Sequence, residues 1–171
     1  MAKDREDIEY RGHRIIANNT GFMIYPDKYR GEVESIEEGL TAAKAWVDDK
    51  NKARNEARRA PHIGTVDDYA EALEALSLGA HERLMLVAHR AAPDRKLSAT
   101  ELSEAAGWEE AGPANMHYGN LGRKIAQQLY LPIENDDDLS WTQALAEYHD
   151  EESKWEMHAE LGEALDRLNI T

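Results

Sequence analysis

The first fifty residues begin with short hydrophobic runs and end with a helical repeat. Residues 8–16 predict one strand with a bulge at Gly12, and residues 22–25 predict a second strand after a turn-forming cluster. A weak third strand is predicted around residues 32–33. Because two or three short strands need a partner layer to bury one face, the next segment should pack against them.

A helix with one apolar side is predicted next. Ser35 and Glu38 have the spacing of a capping box, in which two side chains bind free backbone N–H groups at a helix start. The apolar stripe consists of Ile36, Leu40, Ala43 and Val47. Over residues 51–64 charged residues replace this stripe and predict a basic helical linker that ends before Pro61. Residues 1–50 are therefore predicted to form a small domain.

Helical spacing dominates the chain from residue 65 onward. Thr65 and Asp68 predict a capped helix, and residues 81–92 predict another that ends before Pro93. The predicted apolar sides of these two helices consist of Val66, Tyr69, Ala70, Leu73, Leu76, Leu84, Leu86, Val87 and Ala91. The pattern therefore predicts a mainly helical second domain.

The stretch 97–129 has the most informative pattern in the chain. It predicts a short helix, a turn at Gly107 and a longer helix opened by Pro113, whose core side consists of Met116, Leu121, Ile125 and Leu129. This order is typical of a helix-turn-helix, whose second helix commonly lies in the major groove of DNA.

Alternating residues after this motif predict a hairpin and a final helix. Residues 140–148 and 154–158 predict two strands joined by a turn at 149–153, and residues 160–168 predict the helix. Two strands after a recognition helix are typical of a wing. We therefore predict an α+β fold: a small N-terminal β-sheet plus helix module, a basic helical linker and a mainly helical winged helix-turn-helix domain at 65–171.

Charge modifies this picture because the net charge of −14 is unevenly distributed. Residues 1–62 have no net charge, residues 63–130 carry −4 and residues 131–171 carry −10. Most proteins that bind duplex nucleic acid are locally basic, so the last quarter of the chain would repel a phosphate backbone unless it faces away.

Composition excludes several classes of protein. The chain has no cysteine, and therefore no disulfide or thiol chemistry. The charged N-terminus is unlike a signal peptide and no apolar run has the length of a membrane span, so we expect a cytoplasmic protein without a membrane partner. The seven histidines lack metal-ligand spacing, and phosphate-loop and nucleophile-elbow motifs are absent. We expect no enzyme activity, no metal and no cofactor.

The predicted recognition helix places polar residues on its outer side. These residues are Asn115, His117, Tyr118, Asn120, Arg123 and Lys124. Asn and Arg bind base edges with two hydrogen bonds, whereas Lys and Arg neutralise phosphate. Gly119 and Gly122 each cost about 1 kcal/mol relative to Ala in a helix, which indicates close approach by a neighbouring helix or a partner and would permit a homodimer. The alternative is a scaffold helix whose polar side faces water.

Two further groups of charged residues are candidate binding surfaces. The basic group consists of Lys52, Arg54, Arg58 and Arg59, which either contact phosphates or belong to a solvated linker. The acidic group consists of Asp136, Asp137, Asp138, Asp150, Glu151 and Glu152. Closely spaced carboxylates can imitate a row of phosphates and occupy a nucleic-acid-binding groove. The alternative for this group is a solvated face that keeps the protein soluble.

The run ATELSEAAGWEEAGPANMHYGNLGRKIAQQL, residues 99–129, resembles a small winged-helix-like domain found beside bacterial HNH-type and methylation-dependent restriction nucleases. Residues 155–165 resemble the closing strand and helix of that domain, so the resemblance covers about residues 65–171. It implies an accessory recognition role, with the nuclease elsewhere. The chain contains no HNH ligands.

Two functions remain open from the sequence. The first is a non-enzymatic protein that uses a winged helix-turn-helix to engage DNA or a nucleic-acid-processing protein complex. The second is an acidic inhibitor of host defence, of the anti-restriction or anti-CRISPR kind found in phages and prophages, which acts by imitating DNA.

Overall fold

A computed structural model describes residues 4–133 and 141–171 of the chain. The chain forms two compact units, Met1–Ala57 (unit 1) and Arg58–Thr171 (unit 2). Unit 1 is a sheet with one helix, and unit 2 combines helices with a small sheet. The predicted α+β class is confirmed.

Unit 1 has four antiparallel strands in chain order and one long helix. The elements are β1 Arg5–Tyr10, β2 His13–Asn18, β3 Gly21–Tyr25, β4 Tyr29–Glu32 and α1 Ile36–Ala57. The predicted single strand with a bulge at Gly12 is wrong. Arg11 and Gly12 have φ values of 47° and 75°, and two such residues form the tight turn that joins twisted antiparallel strands.

Helix α1 packs on one face of this sheet. One of the two predicted capping hydrogen bonds forms at its start, where Glu38 N–H donates to Ser35 Oγ at 3.2 Å. The second differs from the prediction, because the Glu38 carboxylate accepts from the N–H of Glu34 and not from that of Ser35. The buried core of the unit consists of Ile15, Ala17, Phe22, Ile24, Ala43 and Val47. These residues alternate along β2 and β3 and recur on one side of α1, as burial of a single sheet face requires.

Residues 51–64 do not form a separate linker. Helix α1 continues to Ala57 and carries Lys52 and Arg54, whereas Arg58 is the first residue of unit 2. The Arg58 side chain is buried and bonded to Asp68. Sequence periodicity missed this boundary because the partner of Arg58 lies ten residues further along the chain.

Unit 2 is built from five helices and three short strands among the described residues. In chain order these are α2 Val66–Ala75, α3 Ala80–Ala91, β5 Lys96–Leu97, α4 Ala99–Ala106, α5 Ala111–Leu129, β6 Ala146–His149, β7 Lys154–Met157 and α6 Ala159–Arg167. The strands are antiparallel in the order β5-β7-β6. Strand β5 therefore pairs with the second strand of the hairpin.

The predicted helix boundaries in unit 2 are largely confirmed. Thr65 caps α2 and Ser98 caps α4, each in a capping box, and Gly107 ends α4 with a φ of 84°. The strand predicted at 140–148 is too long, because Thr142–Ala144 forms a 3-10 turn and β6 begins only at Ala146.

The core of unit 2 corrects three predicted side-chain positions. Met116 and Leu84 were predicted to face the core but are 49% and 47% exposed. Tyr118 was predicted to face outward and is fully buried, with its hydroxyl 2.6 Å from His89 Nδ1. The buried tyrosine and histidine thus satisfy each other's hydrogen-bonding groups. The sequence pattern did not predict this pairing, because the two residues are 29 positions apart.

The close approach predicted at the helix glycines occurs inside unit 2. Gly119 and Gly122 are both buried. A Cβ at Gly122 would clash with the carbonyl oxygen of Trp141. Since the Gly122 face is occupied by the chain itself, it gives no support to the predicted homodimer. Within residues 4–133 and 141–171, every helix is too short or too polar to span a bilayer.

Candidate binding site

The predicted recognition residues of α5 do not form one free polar surface. The exposed Arg123 donates to Asn120 Oδ1 at 3.2 Å, an interaction within α5 itself. Lys124 binds Glu82 of α3 at 2.7 Å, an ion pair between neighbouring helices. His117 stacks on Trp108, with ring centroids 4.8 Å apart. Among these α5 side chains, only Arg123 carries a charge that no carboxylate neutralises within the described part of the chain.

The predicted basic residues are divided between the two units. Lys52 and Arg54 lie on α1 in unit 1, exposed and half-buried respectively. Arg58 is buried in an ion pair with Asp68, and its guanidinium also donates to the Leu129 carbonyl oxygen at 3.0 Å. Arg59 binds Glu160 at 2.9 Å, and this hydrogen bond raises the Arg59 pKa. Arg58 is therefore a structural residue of unit 2, whereas Arg59 is an exposed residue that pairs with a carboxylate of the same unit.

Three residues of the predicted acidic group belong to the described part of the chain, and they lie at the tip of the β6–β7 hairpin. Asp150, Glu151 and Glu152 form the turn and are exposed. Glu152 accepts a hydrogen bond from Lys96 Nζ at 2.6 Å, which lowers the Glu152 pKa. Asp136, Asp137 and Asp138 lie outside the described residues.

A cavity of about 230 Å³ lies between the start of α5 and the hairpin. Its lining residues are Ala99, Asn115, Tyr148, Ser153 and Trp155. Asn115 belongs to the predicted recognition set, whereas the sequence assigned Tyr148 and Trp155 only to strands. The tertiary fold thus brings one predicted residue together with an aromatic pair that was missed.

The aromatic wall of this cavity has one exposed and one buried ring. Tyr148 is 47% exposed, whereas Trp155 is 3% exposed. Their ring centroids lie 5.4 Å apart at an interplanar angle of 57°, a tilted arrangement that is favourable for two aromatic rings. The exposed Tyr148 ring is therefore held by packing on a ring that cannot move without disturbing the core.

Two buried hydrogen bonds link Tyr118, His89 and the backbone of Trp155. His89 Nε2 lies 2.8 Å from the Trp155 carbonyl oxygen, and His89 Nδ1 lies 2.6 Å from the Tyr118 hydroxyl. A carbonyl only accepts, so Nε2 carries the proton and Nδ1 accepts from Tyr118. Burial lowers the His89 pKa to about 4 and raises the Tyr118 pKa, so both groups are neutral near pH 7.

Asn115 lines the cavity, and one of its side-chain atoms has no hydrogen-bond partner within the described part of the chain. Its Oδ1 is buried and has no hydrogen-bond partner among the described residues. A buried acceptor without a partner costs about 1–3 kcal/mol. The unpaired oxygen lies beneath the cavity surface, so the face that the cavity presents is mainly aromatic.

Two lysines beside the hairpin are paired with carboxylates, whereas Arg95 donates to the Met157 carbonyl oxygen. Lys96 binds Glu152, and Lys154 binds Glu101 at 3.2 Å. The Glu101 carboxylate also accepts from the Ser98 backbone N–H, and this bond lowers its pKa. Asp150 and Glu151 have no cation partner within residues 4–133 and 141–171. The hairpin turn therefore carries two carboxylates that are not paired with a cation among the described residues.

The described residues contain no metal site, and no known protein matches the chain. The described residues contain no cluster of three His, Asp or Glu side chains arranged to hold an ion. The chain matches no family model, no curated protein and no solved structure. The chemistry of the cavity and its surroundings must therefore carry any functional argument.

Proposed function

We propose that this protein is a binding module whose unit 2 engages a basic surface of a nucleic-acid-binding protein or complex, in competition with nucleic acid. The observation that carries the proposal is the pairing of cations inside unit 2. Of its ten Lys and Arg residues, seven bind carboxylates of the same unit: Arg58, Arg59, Arg90, Lys96, Lys124, Lys154 and Arg167.

The charge balance of the two units supports an acidic binding surface. Residues 58–171 carry ten basic and twenty-two acidic side chains, a net charge of −12, whereas residues 1–57 carry ten and twelve, a net charge of −2. Binding of a phosphate backbone releases counterions only where cations are available to replace them. In unit 2 most cations would first have to leave a carboxylate, which makes phosphate binding unfavourable.

The same charges favour a basic partner. Clustered negative potential accelerates association with a positive surface and excludes partners of the same sign. Proteins that hold nucleic acid present such positive grooves, including RNA-guided nucleases. An inhibitor of host defence that occupies such a groove is one form of this function.

The experiment compares a basic peptide with DNA as probes of the full-length protein. A fluorescent twelve-residue peptide with six arginines and a fluorescent 20-base-pair duplex are titrated with the protein at low salt, and anisotropy is recorded. We expect the peptide to bind and the duplex to remain free. Unlabelled duplex should compete with the protein for the peptide.

A matched pair of charge reversals locates the surface. Asp150→Lys with Glu151→Lys should weaken peptide binding roughly tenfold, because two exposed ion pairs contribute up to about 1 kcal/mol each. Glu74→Lys with Glu104→Lys changes the net charge equally at exposed positions of α2 and α4 and should have a smaller effect. Equal effects would contradict a role for the hairpin tip.

Direct DNA binding by α5 is the second candidate, and the order of elements favours it. Unit 2 follows α3 with a short strand, two helices and a hairpin that pairs with that strand, which is the order of a winged helix-turn-helix. Arg123 lies exposed on the second of these helices. A duplex that binds the protein and is released by Arg123→Ala would support this candidate and refute the basic-partner proposal.

A further inference from the structure

One face of the unit 1 sheet is uncovered by the elements described for that unit. Helix α1 packs on the opposite face, where Ile15 and Ile24 are buried. The uncovered face, which we call the open face, carries Ile16, Met23 and Tyr25 and forms a groove of about 860 Å³. We infer that the open face binds the open face of a second copy of the chain. This surface belongs to unit 1, and the inference goes beyond the function proposed for unit 2.

The strand register arranges the open face in rows that cross the sheet. The central row consists, from β1 to β4, of Asp7, Ile16, Met23 and Arg30, and each residue pairs directly with the next. Side chains of directly paired residues in antiparallel strands point to the same face of the sheet. The central row therefore begins with a negative charge, continues with two apolar residues and ends with a positive charge.

The row at one end of the sheet has the opposite order of charges. It begins on β1 with Arg5, which pairs with Asn18, and it ends on β4 with Glu32, which pairs with Gly21. Arg30 and Glu32 have no ion-pair partner among the residues that the structure describes. The edge strand β4 therefore carries one positive and one negative side chain that the described chain leaves unpaired.

Rows with this order of charges are complementary to themselves. A two-fold axis parallel to the strands, between β2 and β3, turns each row end for end and places β1 of one copy over β4 of the other. Asp7 then faces Arg30 of the second copy, and Arg5 faces Glu32 of the second copy. Packed sheets lie about 10 Å apart, a gap that two facing side chains fill. Each of these ion pairs forms twice because of the symmetry.

The centre of the open face supplies the apolar contact. Ile16 and Met23 are half-buried, and the same axis places Ile16 of each copy over Met23 of the other. Arg14 pairs directly with Tyr25 in the neighbouring row, so the Arg14 guanidinium of one copy lies over the Tyr25 ring of the other. Tyr25 is 36% exposed and is available for this cation–π contact.

The order of charges selects one orientation of the two copies. A two-fold axis across the strands would place the central row over itself, so that Asp7 faces Asp7 and Arg30 faces Arg30. Facing like charges are unfavourable at an interface. The axis parallel to the strands avoids this repulsion and pairs every one of these charges with its opposite.

The charge balance of the open face disfavours a nucleic acid as its occupant. Three arginines on this face are balanced by three carboxylates, those of Asp7, Glu9 and Glu32. A polyanion binds where cations are in excess, and this face has no such excess. A second copy presents both signs of charge in the order that the open face requires.

Sedimentation velocity of the full-length protein measures the association. The four strands cover roughly 300 Å² in projection, so we expect a weak dimer that forms as the protein concentration rises from micromolar to near-millimolar. Added salt should weaken the dimer, because the ion pairs lie at the edges of the contact and are screened.

Two charge reversals test the pairing across the axis. Asp7→Arg places two arginines opposite each other, and Arg30→Asp places two carboxylates there, so each variant alone should dimerise at least about tenfold more weakly than the wild type. An equimolar mixture of the two variants should recover the dimer. In the mixed dimer one contact joins the two reversed side chains, and the other joins the two original ones.

A second pair of reversals keeps the test valid if the change at Asp7 unfolds unit 1, since Asp7 binds Arg14. Arg5→Glu and Glu32→Arg should likewise dissociate the dimer singly and restore it when mixed. Asp49→Arg is the control, because it reverses a charge at an exposed position of α1 and should leave dimerisation unchanged. Circular dichroism confirms that each variant is folded.

Three results would overturn the inference. Wild-type protein that stays monomeric at near-millimolar concentration would show that the open face does not bind itself. A dimer that Arg30→Asp and Asp49→Arg affect equally would have its interface elsewhere. Variants that dissociate singly but fail to associate when both complementary pairs are mixed would exclude the proposed two-fold arrangement.

Discussion

The two units place their charged residues in different environments. In unit 1 the ion pair of Arg14 with Asp7 on the sheet lies on the surface, with side chains 52% and 37% exposed. In unit 2 the side chains of Arg58 and Asp68 are only 3% and 2% exposed. Exposed pairs contribute about 0–1 kcal/mol, whereas breaking a buried pair leaves a charge without water or partner. The same residue types therefore have different consequences for stability in the two units.

The same contrast extends to histidine. His13 of unit 1 is also buried but contacts a partly exposed carboxylate, that of Asp27, whereas His89 of unit 2 is fully buried between Tyr118 and the Trp155 carbonyl, two neutral groups. Interior polar groups stabilise a fold only while every partner is in place. Unit 2 should therefore be sensitive to single changes that unit 1 would tolerate.

The largest effect should come from Arg58→Ala. This change leaves Asp68 buried without its cation, and we expect a loss of about 3–5 kcal/mol in the free energy of unfolding. Urea denaturation followed by tryptophan fluorescence measures it, because three of the four tryptophans lie in unit 2. Arg59→Ala removes the exposed neighbour that binds Glu160 and should cost 1 kcal/mol or less, about as for other exposed pairs. Similar losses for both variants would contradict the expected difference between a buried and an exposed ion pair.

Acidification should produce the next largest effect. The pKa of His89 is about 4 in the folded protein and about 6.5 in the unfolded chain. Between these values the unfolded state binds a proton that the folded state does not, so stability falls as the pH decreases. The full loss from His89 is about 3 kcal/mol, and burial lowers the pKa of His158 in the same direction.

Urea midpoints measured at intervals from pH 7.5 to pH 4.5 test this dependence. The decrease should begin near pH 6.5, above the range in which ordinary carboxylates titrate. Replacement of His89 by Asn should lower stability at neutral pH and flatten the curve between pH 6.5 and pH 5. A variant curve parallel to the wild-type curve would show that His89 does not control the acid sensitivity.

A smaller loss is expected from Gly122→Ala. The added methyl group would overlap the Trp141 carbonyl oxygen, and forced overpacking of this kind costs about 1–3 kcal/mol. Gly112→Ala in the same helix is the matched control, since a Cβ there meets no atom within 4 Å among the described residues. That variant should be neutral or slightly more stable, because Ala favours a helix.

The smallest effect should come from Arg14→Ala in unit 1. The hydrogen bond from Arg14 lowers the pKa of Asp7, but both side chains are exposed to water and salt. We expect a small loss of stability that decreases further at high ionic strength, because salt screens exposed charges. Circular dichroism during urea unfolding at low and high salt measures it. A large, salt-independent loss would remove the contrast between the units.

The sequence predicted the regular elements well because their signals are local. The capping box at Thr65, the stop at Gly107 and the apolar stripe of α1 involve residues within one or two turns of each other. The hairpin at Gly12 was missed although its signal was also local. Two consecutive residues with positive φ form a tight turn, and the hydrophobic pattern on either side was consistent with one bulged strand.

The candidate site was predicted only in part. Asn115 was identified from its residue type and its place on the second helix of the motif. Tyr148 and Trp155 were not, because β6 joins the cavity only through its pairing with β7. The ion pairs of Lys124 and Arg59 were not predicted for the same reason: their partners, Glu82 and Glu160, are distant in sequence.

The sequence by itself determined which segments form helices and strands, because backbone capping and hydrophobic period depend on near neighbours. The tertiary structure alone decided which polar residues remain available to a partner. Seven cations of unit 2 found carboxylates and Tyr118 found His89, whereas Asn115 Oδ1 found no partner in the described residues. The physical reason is that hydrogen bonds and ion pairs form between atoms a few ångströms apart, and only folding fixes which distant residues meet.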